Sequence, residues 1–192
     1  RDVRSGGVDR FGSLDPSEGG KSLRSTGRLD YHYDLPGGGT VFANLWAQYY
    51  YLSLFSNFTF YLNDPVNGDG IEQTDRRWLT GSDVGYRQIF RLLNYEGTMT
   101  AGLQTRFDQI QVRLGTQQKR SSLAITQESD IFEASYSPYL KMDLQFLPWM
   151  RFVGGGRVDV FTYNVKDRCG ADCSERPNGT ASNAIASGKA NL

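Results

Sequence analysis

The sequence predicts an all-β fold, an antiparallel transmembrane β-barrel segment, from strand length and from the spacing of its connections. Between Phe132 and Phe146, fifteen residues alternate, with apolar side chains at even positions and polar or amphipathic ones at odd positions. At roughly 3.4 Å per residue this strand would extend about 50 Å, whereas an ordinary strand has about 5 or 6 residues. A membrane-spanning strand needs about 9 to 11 residues, and the excess would form a rim outside the bilayer.

Extended segments with similar patterns are predicted along most of the chain. They cover residues 23–35, 40–62, 74–90, 98–114, 132–146 and 150–165, while residues 1–21 indicate a strand remnant followed by a loop. Short connections at 36–39, 91–96 and 147–148 alternate with long loops at 63–73, 115–127 and 166–185. In bacterial barrels, short turns face the periplasm and long loops face the exterior.

The alternation changes phase at two places, and the first change predicts a bulge. The apolar positions switch from odd to even near Tyr51, and from odd to even again before Ile110, so that Ile110, Val112 and Leu114 would continue the apolar face. Pro138 cannot donate a hydrogen bond within its strand, so a further bulge is predicted there.

About six strands cannot close a barrel, because outer-membrane barrels of one chain have at least about 8 strands and an open edge in lipid is unfavourable. We therefore expect residues 1–192 to be a partial barrel domain, with further strands elsewhere in a longer chain. The 21 basic and 21 acidic residues are scattered and form no basic stripe, which disfavours nucleic-acid binding. No run of 18 apolar residues predicts a membrane-spanning helix.

The stretch from Leu54 to Arg77 resembles the mid-barrel signature of TonB-dependent outer-membrane receptors. The residues that carry this resemblance are Asn67, Gly68, Asp69, Glu72, Gln73, Asp75, Arg76 and Arg77. Supporting segments follow at hairpin spacing, at 101–104, at 135–139, and at Arg157 with Asp159. The resemblance covers roughly residues 20 to 166.

This resemblance implies a 22-stranded barrel with an N-terminal plug domain in its lumen, located in the bacterial outer membrane. It implies the import of a scarce bulky nutrient, usually a ferric siderophore, driven by inner-membrane energy through TonB. The expected partners are outer-membrane lipid, the plug of the same chain, TonB and the ligand, with no cofactor and no enzymatic activity. The alternatives are a passive porin-like channel and a soluble β-sandwich binding module, the latter with strands of about 5 or 6 residues.

The charges on the polar faces of the strands are expected to face the lumen and to pair with one another along the wall. Direct contact with a ligand is the alternative for each, and the ligand-binding residues themselves are not identified by the sequence. The residues concerned are Arg77, Asp83, Arg87, Arg106, Asp108, Lys141, Asp143, Arg157 and Asp159.

Three smaller features have competing interpretations. Cys169 and Cys173 favour a loop disulfide in an oxidising compartment over a metal site, which would need further ligands. The single histidine, His32, disfavours a Ser-His hydrolase, and no catalytic or metal-binding residues are predicted. Asp64, Asn67 and Asp69 favour a self-capped turn over a calcium loop, because the EF-hand ligand pattern is not met.

Overall fold

The computed structural model describes residues 12, 15–92, 95–170, 173 and 176–191. These residues form one sheet of seven antiparallel strands, each paired with its neighbours in chain order. The strands are β1 (Gly19–Leu35), β2 (Gly39–Ser56), β3 (Ile71–Leu92), β4 (Tyr95–Gln118), β5 (Ser121–Leu147), β6 (Met150–Asp167) and β7 (Gly179–Asn191). The described part of the chain contains no helix that could cross a membrane. The predicted all-β fold is confirmed.

The strand count is seven rather than about six, because residues assigned to the last long loop form β7. This strand pairs with β6 from Val165 opposite Gly179 to Val153 opposite Asn191. Its even-numbered residues are Thr, Ser, Ala and Gly, so the apolar contrast that predicts a strand is weak. The strand remnant predicted near the N-terminus lies mostly outside the described residues.

The prediction of a long loop at 115–127 is wrong, because β4 and β5 continue into a tight hairpin. The strands end at Gln118 and resume at Ser121, and the two residues between them, Lys119 and Arg120, have φ of 50° and 67°. Positive φ at both positions suits the twist of a two-residue hairpin. The buried amide side chain of Gln117 accepts a hydrogen bond from the Arg120 N–H at 2.6 Å. The polar composition of 115–127 therefore belongs to a hairpin and not to a loop.

Strand β2 ends at Ser56, six residues earlier than predicted. The chain then turns into the loop 57–70, where Phe60 has a φ of 59° and its carbonyl accepts a 2.6 Å hydrogen bond from the Asp69 N–H. The apolar residues at 58–62 belong to this loop and are largely exposed.

Neither of the two predicted bulges is present, and Ile110, Val112 and Leu114 lie on the face of Asp108 and do not continue the apolar face. Strand β2 keeps one register with both neighbours through Tyr51, and β4 keeps its register through Ile110. At Pro138 the pairing with β6 resumes after a gap in unchanged register, since the missing N–H removes a bond without displacing the strand. The register shifts occur at Leu114/Gly115 and Thr116/Gln117 in the β4–β5 hairpin and at Gln145/Leu147 in β5.

Candidate functional site

The unbroken register sorts the side chains onto two faces of the sheet. The apolar face carries Leu45, Val84, Leu103, Leu140 and Val160, which lie on the same side of β2 to β6. The polar face carries every charge that the sequence places in the lumen. Those residues are Arg77, Asp83, Arg87, Arg106, Asp108, Lys141, Asp143, Arg157 and Asp159.

The apolar face contains a band that crosses all seven strands without a charged residue. On β3 this band runs from Trp78 to Phe90, thirteen residues that would span about 40 Å along the strand and about 28 Å across a bilayer at a 45° tilt. Its large side chains are open to the surroundings, with Leu29 63%, Trp78 54% and Leu140 51% exposed. A band about 25 Å high is the height of the lipid-facing surface of outer-membrane barrels.

The end of the band towards the 57–70 loop is marked by aromatic rings and then by charges. Tyr49 and Trp78 pair across β2 and β3 with their ring centroids 5.0 Å apart. Two positions further along the same face lie Arg76, Asp130 and Lys166. Aromatic rings followed by charges are typical of the boundary between hydrocarbon and headgroups.

The polar face carries four Arg–Asp pairs in which the partners are two residues apart on one strand. Residues with this spacing point to the same side of a sheet, so each pair forms locally. Arg106 binds both oxygens of Asp108 at 2.7 to 3.0 Å, and Arg157 donates to Asp159 at 2.6 Å. The other two pairs are Arg28–Asp30 and Arg77–Asp75.

A hydrogen-bonded network joins strands β3 to β6 across the polar face. The Asp83 carboxylate accepts hydrogen bonds from the Tyr139 hydroxyl at 3.0 Å and from the Gln104 amide at 3.1 Å. Arg157 donates to the Gln104 amide oxygen at 2.5 Å and so extends the network to β6. Ser137 donates to Asp159 at 2.6 Å. This network links four neighbouring strands through side chains on the polar face.

Glycines on the polar face make room for aromatic rings from the neighbouring strand. Trp46 lies opposite Gly81, Phe42 opposite Gly85, and Tyr139 opposite Gly102. A Cβ added to any of the three glycines would approach the opposing ring within 2.5 to 2.6 Å. The rings therefore lie flat over the backbone, which keeps the wall thin.

The residues that carry the family resemblance separate into a loop and a strand. Asn67, Gly68 and Asp69 belong to the 57–70 loop, while Glu72 and Gln73 begin β3. Asp75 and Arg77 form an ion pair on the polar face, and Arg76 lies on the opposite face with its guanidinium 5.8 Å from the Tyr51 ring centroid. No single site contains all of them.

The carboxylates of the 57–70 loop hold the loop's own backbone. Asp64 accepts hydrogen bonds from the N–H groups of Val66 and Asn67 at 2.9 Å, and Asp69 accepts from those of Asn63 and Asp64 at 2.8 to 3.1 Å. Gly68, with a φ of 85°, completes the turn. These oxygens are engaged as the self-capped turn requires.

The Asp69 carboxyl should titrate with a midpoint of about 2. A hydrogen bond from the Thr59 side chain, together with the backbone N–H groups of Asn63 and Asp64, lowers the pKa of Asp69 to about 2. The loop stabilisation is complete above the ordinary Asp pKa of about 3.9 and is lost as the pH falls through 2. NMR titration of the labelled Asp69 carboxyl carbon measures the midpoint, and Thr59→Val should raise it. A midpoint near 4 in the parent protein would contradict this assignment.

The two cysteines and the histidine belong to different parts of the fold. Cys169 and Cys173 form a disulfide with a Cα separation of 5.9 Å in the connection between β6 and β7. His32 lies on the polar face of β1, opposite Phe42. Within the described ranges, no group of three His, Cys, Asp or Glu side chains is arranged to hold a metal ion.

Comparison with known proteins gives one informative likeness. No family model matches the chain, and no curated protein matches it. Among solved structures, the chain is similar to Fiu, the ferric-catecholate import receptor of E. coli K12, in its closed form. The superposition has a TM-score of 0.52 at 11% sequence identity and covers 95% of this chain. The chain spans 32% of Fiu, so the likeness shows that its fold is similar to part of a receptor barrel.

Proposed function

We propose that this chain is part of the barrel wall of a TonB-dependent receptor in a bacterial outer membrane. The observation that carries the proposal is the charge-free band, which crosses seven strands at one level and at the height of a bilayer core. Exposed apolar surface on this scale marks a membrane or protein interface. The likeness to part of the Fiu barrel supports the same assignment.

The complete protein would import a scarce bulky nutrient through a barrel of 22 strands that holds a plug. A ferric siderophore is the proposed cargo, because Fiu imports a ferric catecholate and the family resemblance of residues 54–77 agrees with it. In this arrangement the apolar face contacts lipid. The polar face, with its ion pairs and its hydrogen-bonded network, surrounds the lumen and the plug.

A soluble β-sandwich does not fit the strands observed. Its strands would have about 5 or 6 residues, whereas the seven strands described have 13 to 27 residues and form one sheet. In water the charge-free band would also leave a large apolar surface uncovered.

The proposal is tested by uptake in cells that depend on the complete gene. Reading the coding frame on both sides of this segment should identify a plug-sized domain with a preceding TonB box. Radioactive iron supplied as a ferric siderophore should then accumulate only when the full-length protein and TonB are both present. Uptake that continues without TonB, or with a dissipated inner-membrane potential, would instead indicate a passive channel.

A further inference from the structure

The polar face contains an open depression between β5, β6 and β7, near the end of the sheet that bears the 148–149 turn. Its volume is about 590 Å³, within the range of small-molecule sites. The polar-face residues that line it include Lys141, Gly155, Arg157, Ser187, Lys189 and Asn191.

Gly155 forms the floor of this depression, and a lysine stands on either side of it. Lys141 on β5 and Lys189 on β7 are both direct ladder partners of Gly155, which places their backbones about 10 Å apart. A Cβ at residue 155 would lie 2.7 Å from the Leu140 carbonyl oxygen, so a side chain is not accommodated there. The space between the two lysines therefore stays open.

The described residues that line the depression include no carboxylate, and of its three cations Arg157 is already paired with Asp159. The nearest carboxylates are engaged, with Asp143 bound by Arg151 and Asp159 bound by Arg157 and Ser137. Among the residues that the structure describes, neither Lys141 nor Lys189 is within ion-pair distance of an acidic group. Ser187 and Asn191 add neutral hydrogen-bonding groups at the margin.

We propose that this depression binds a small anion that carries a carboxylate or phosphate group. The anionic group would lie over Gly155 between the two lysines. Charge-assisted hydrogen bonds from ammonium groups suit both kinds of anion. A small molecule is favoured over an acidic peptide because the two lysines flank a single glycine.

The test uses the full-length protein that contains this chain, purified in a neutral detergent at low ionic strength. Citrate and pyrophosphate are titrated calorimetrically into the parent protein and into the double variant Lys141→Gln/Lys189→Gln. Loss of two charge-assisted contacts should weaken binding of the preferred probe by at least about tenfold. The matched control is Lys119→Gln/Lys166→Gln, which removes the same charge from exposed lysines at the hairpin tip and on the apolar-face side.

The control should bind like the parent, and the preferred probe identifies the anionic group as carboxylate or phosphate. The proposal is overturned if neither probe binds the parent, or if both double variants lose affinity equally. It is also overturned if hexaglutamate binds more tightly than either probe, since that result assigns the surface to an acidic segment. These titrations involve no transport, so they are independent of the uptake experiment.

Discussion

Replacing Leu103 with arginine should lower the free energy of unfolding of the membrane-inserted protein by about 2 to 4 kcal/mol. Leu103 lies on the apolar face, midway between Gln109 and Gly97, which are the band limits on β4. Its side chain is 37% exposed, and its ladder partners are Val84 and Pro138. An arginine there would place a guanidinium at the bilayer midplane. Guanidinium-induced unfolding in phospholipid vesicles measures the change.

Two neighbouring substitutions on β4 provide controls for this result. Gln111→Arg introduces the same side chain on the same face but beyond the band, where Asp130 is the ladder partner, and it should change the stability by less than about 1 kcal/mol. Gln104→Arg places the charge on the polar face, where it can still donate to Asp83 but no longer accepts from Arg157, so its loss should be smaller than that of Leu103→Arg. Equal losses for Leu103→Arg and Gln111→Arg would show that the band does not face hydrocarbon.

The phase changes near Tyr51 and Ile110 show where sequence reasoning was wrong and why. Both lie at the same end of the charge-free band, because Tyr51 is the ladder partner of Arg76 and Ile110 that of Arg77. Beyond this level the apolar face becomes charged, and the polar face becomes apolar through Ile110, Ile131 and Val165. The apolar and polar faces thus exchange character beyond the end of the band, while the register between the strands does not shift. One sequence cannot separate that reversal from a bulge, since both invert the alternation.

Strict alternation of apolar and polar residues makes the central strands predictable, and its weakness in the β4–β5 hairpin and in β7 explains why the sequence does not predict those elements. An apolar face and a polar face on the same sheet impose a strict alternation, which is why the sequence predicts 132–146 as a strand. In the β4–β5 hairpin both faces can be polar, so its strands resemble a loop in composition. In β7 the even positions are small rather than large, and the pattern loses contrast.

The candidate site was only partly accessible from sequence. Alternation assigns Arg106, Asp108, Arg157 and Asp159 to one face, but it does not show the contacts between strands. The link from Arg157 to Gln104 and the lysines on either side of Gly155 depend on register. The signal that could have been read is the Arg-x-Asp spacing, which places both charges on the same side of a strand.

Replacing Arg106 with methionine should destabilise the protein by about 2 to 3 kcal/mol. Asp108 is 3% exposed and has Glu133 as its direct ladder partner, so two carboxylates face each other across β4 and β5. The Arg106 guanidinium binds both Asp108 oxygens and compensates one of these two negative charges. Without it, a buried carboxylate would lack its cation beside a second carboxylate, which is unfavourable. The half-exposed position of Arg106 keeps the estimate below the upper range for buried pairs.

A second substitution at Asp108 and a matched ion pair on β1 test what causes the loss of stability in Arg106→Met. Adding Asp108→Asn to Arg106→Met should recover most of the stability, because the uncompensated charge is then removed. Arg28→Met breaks the same two-residue Arg–Asp arrangement where both partners are exposed, at 65% and 42%, and should cost much less stability than Arg106→Met. If Arg106→Met and Arg28→Met lose similar amounts, or if Asp108→Asn gives no recovery, burial of the Asp108 charge is not the cause. The difference between the losses of stability caused by Arg106→Met and Arg28→Met therefore measures how much burial adds to an ion pair between residues two apart on one strand.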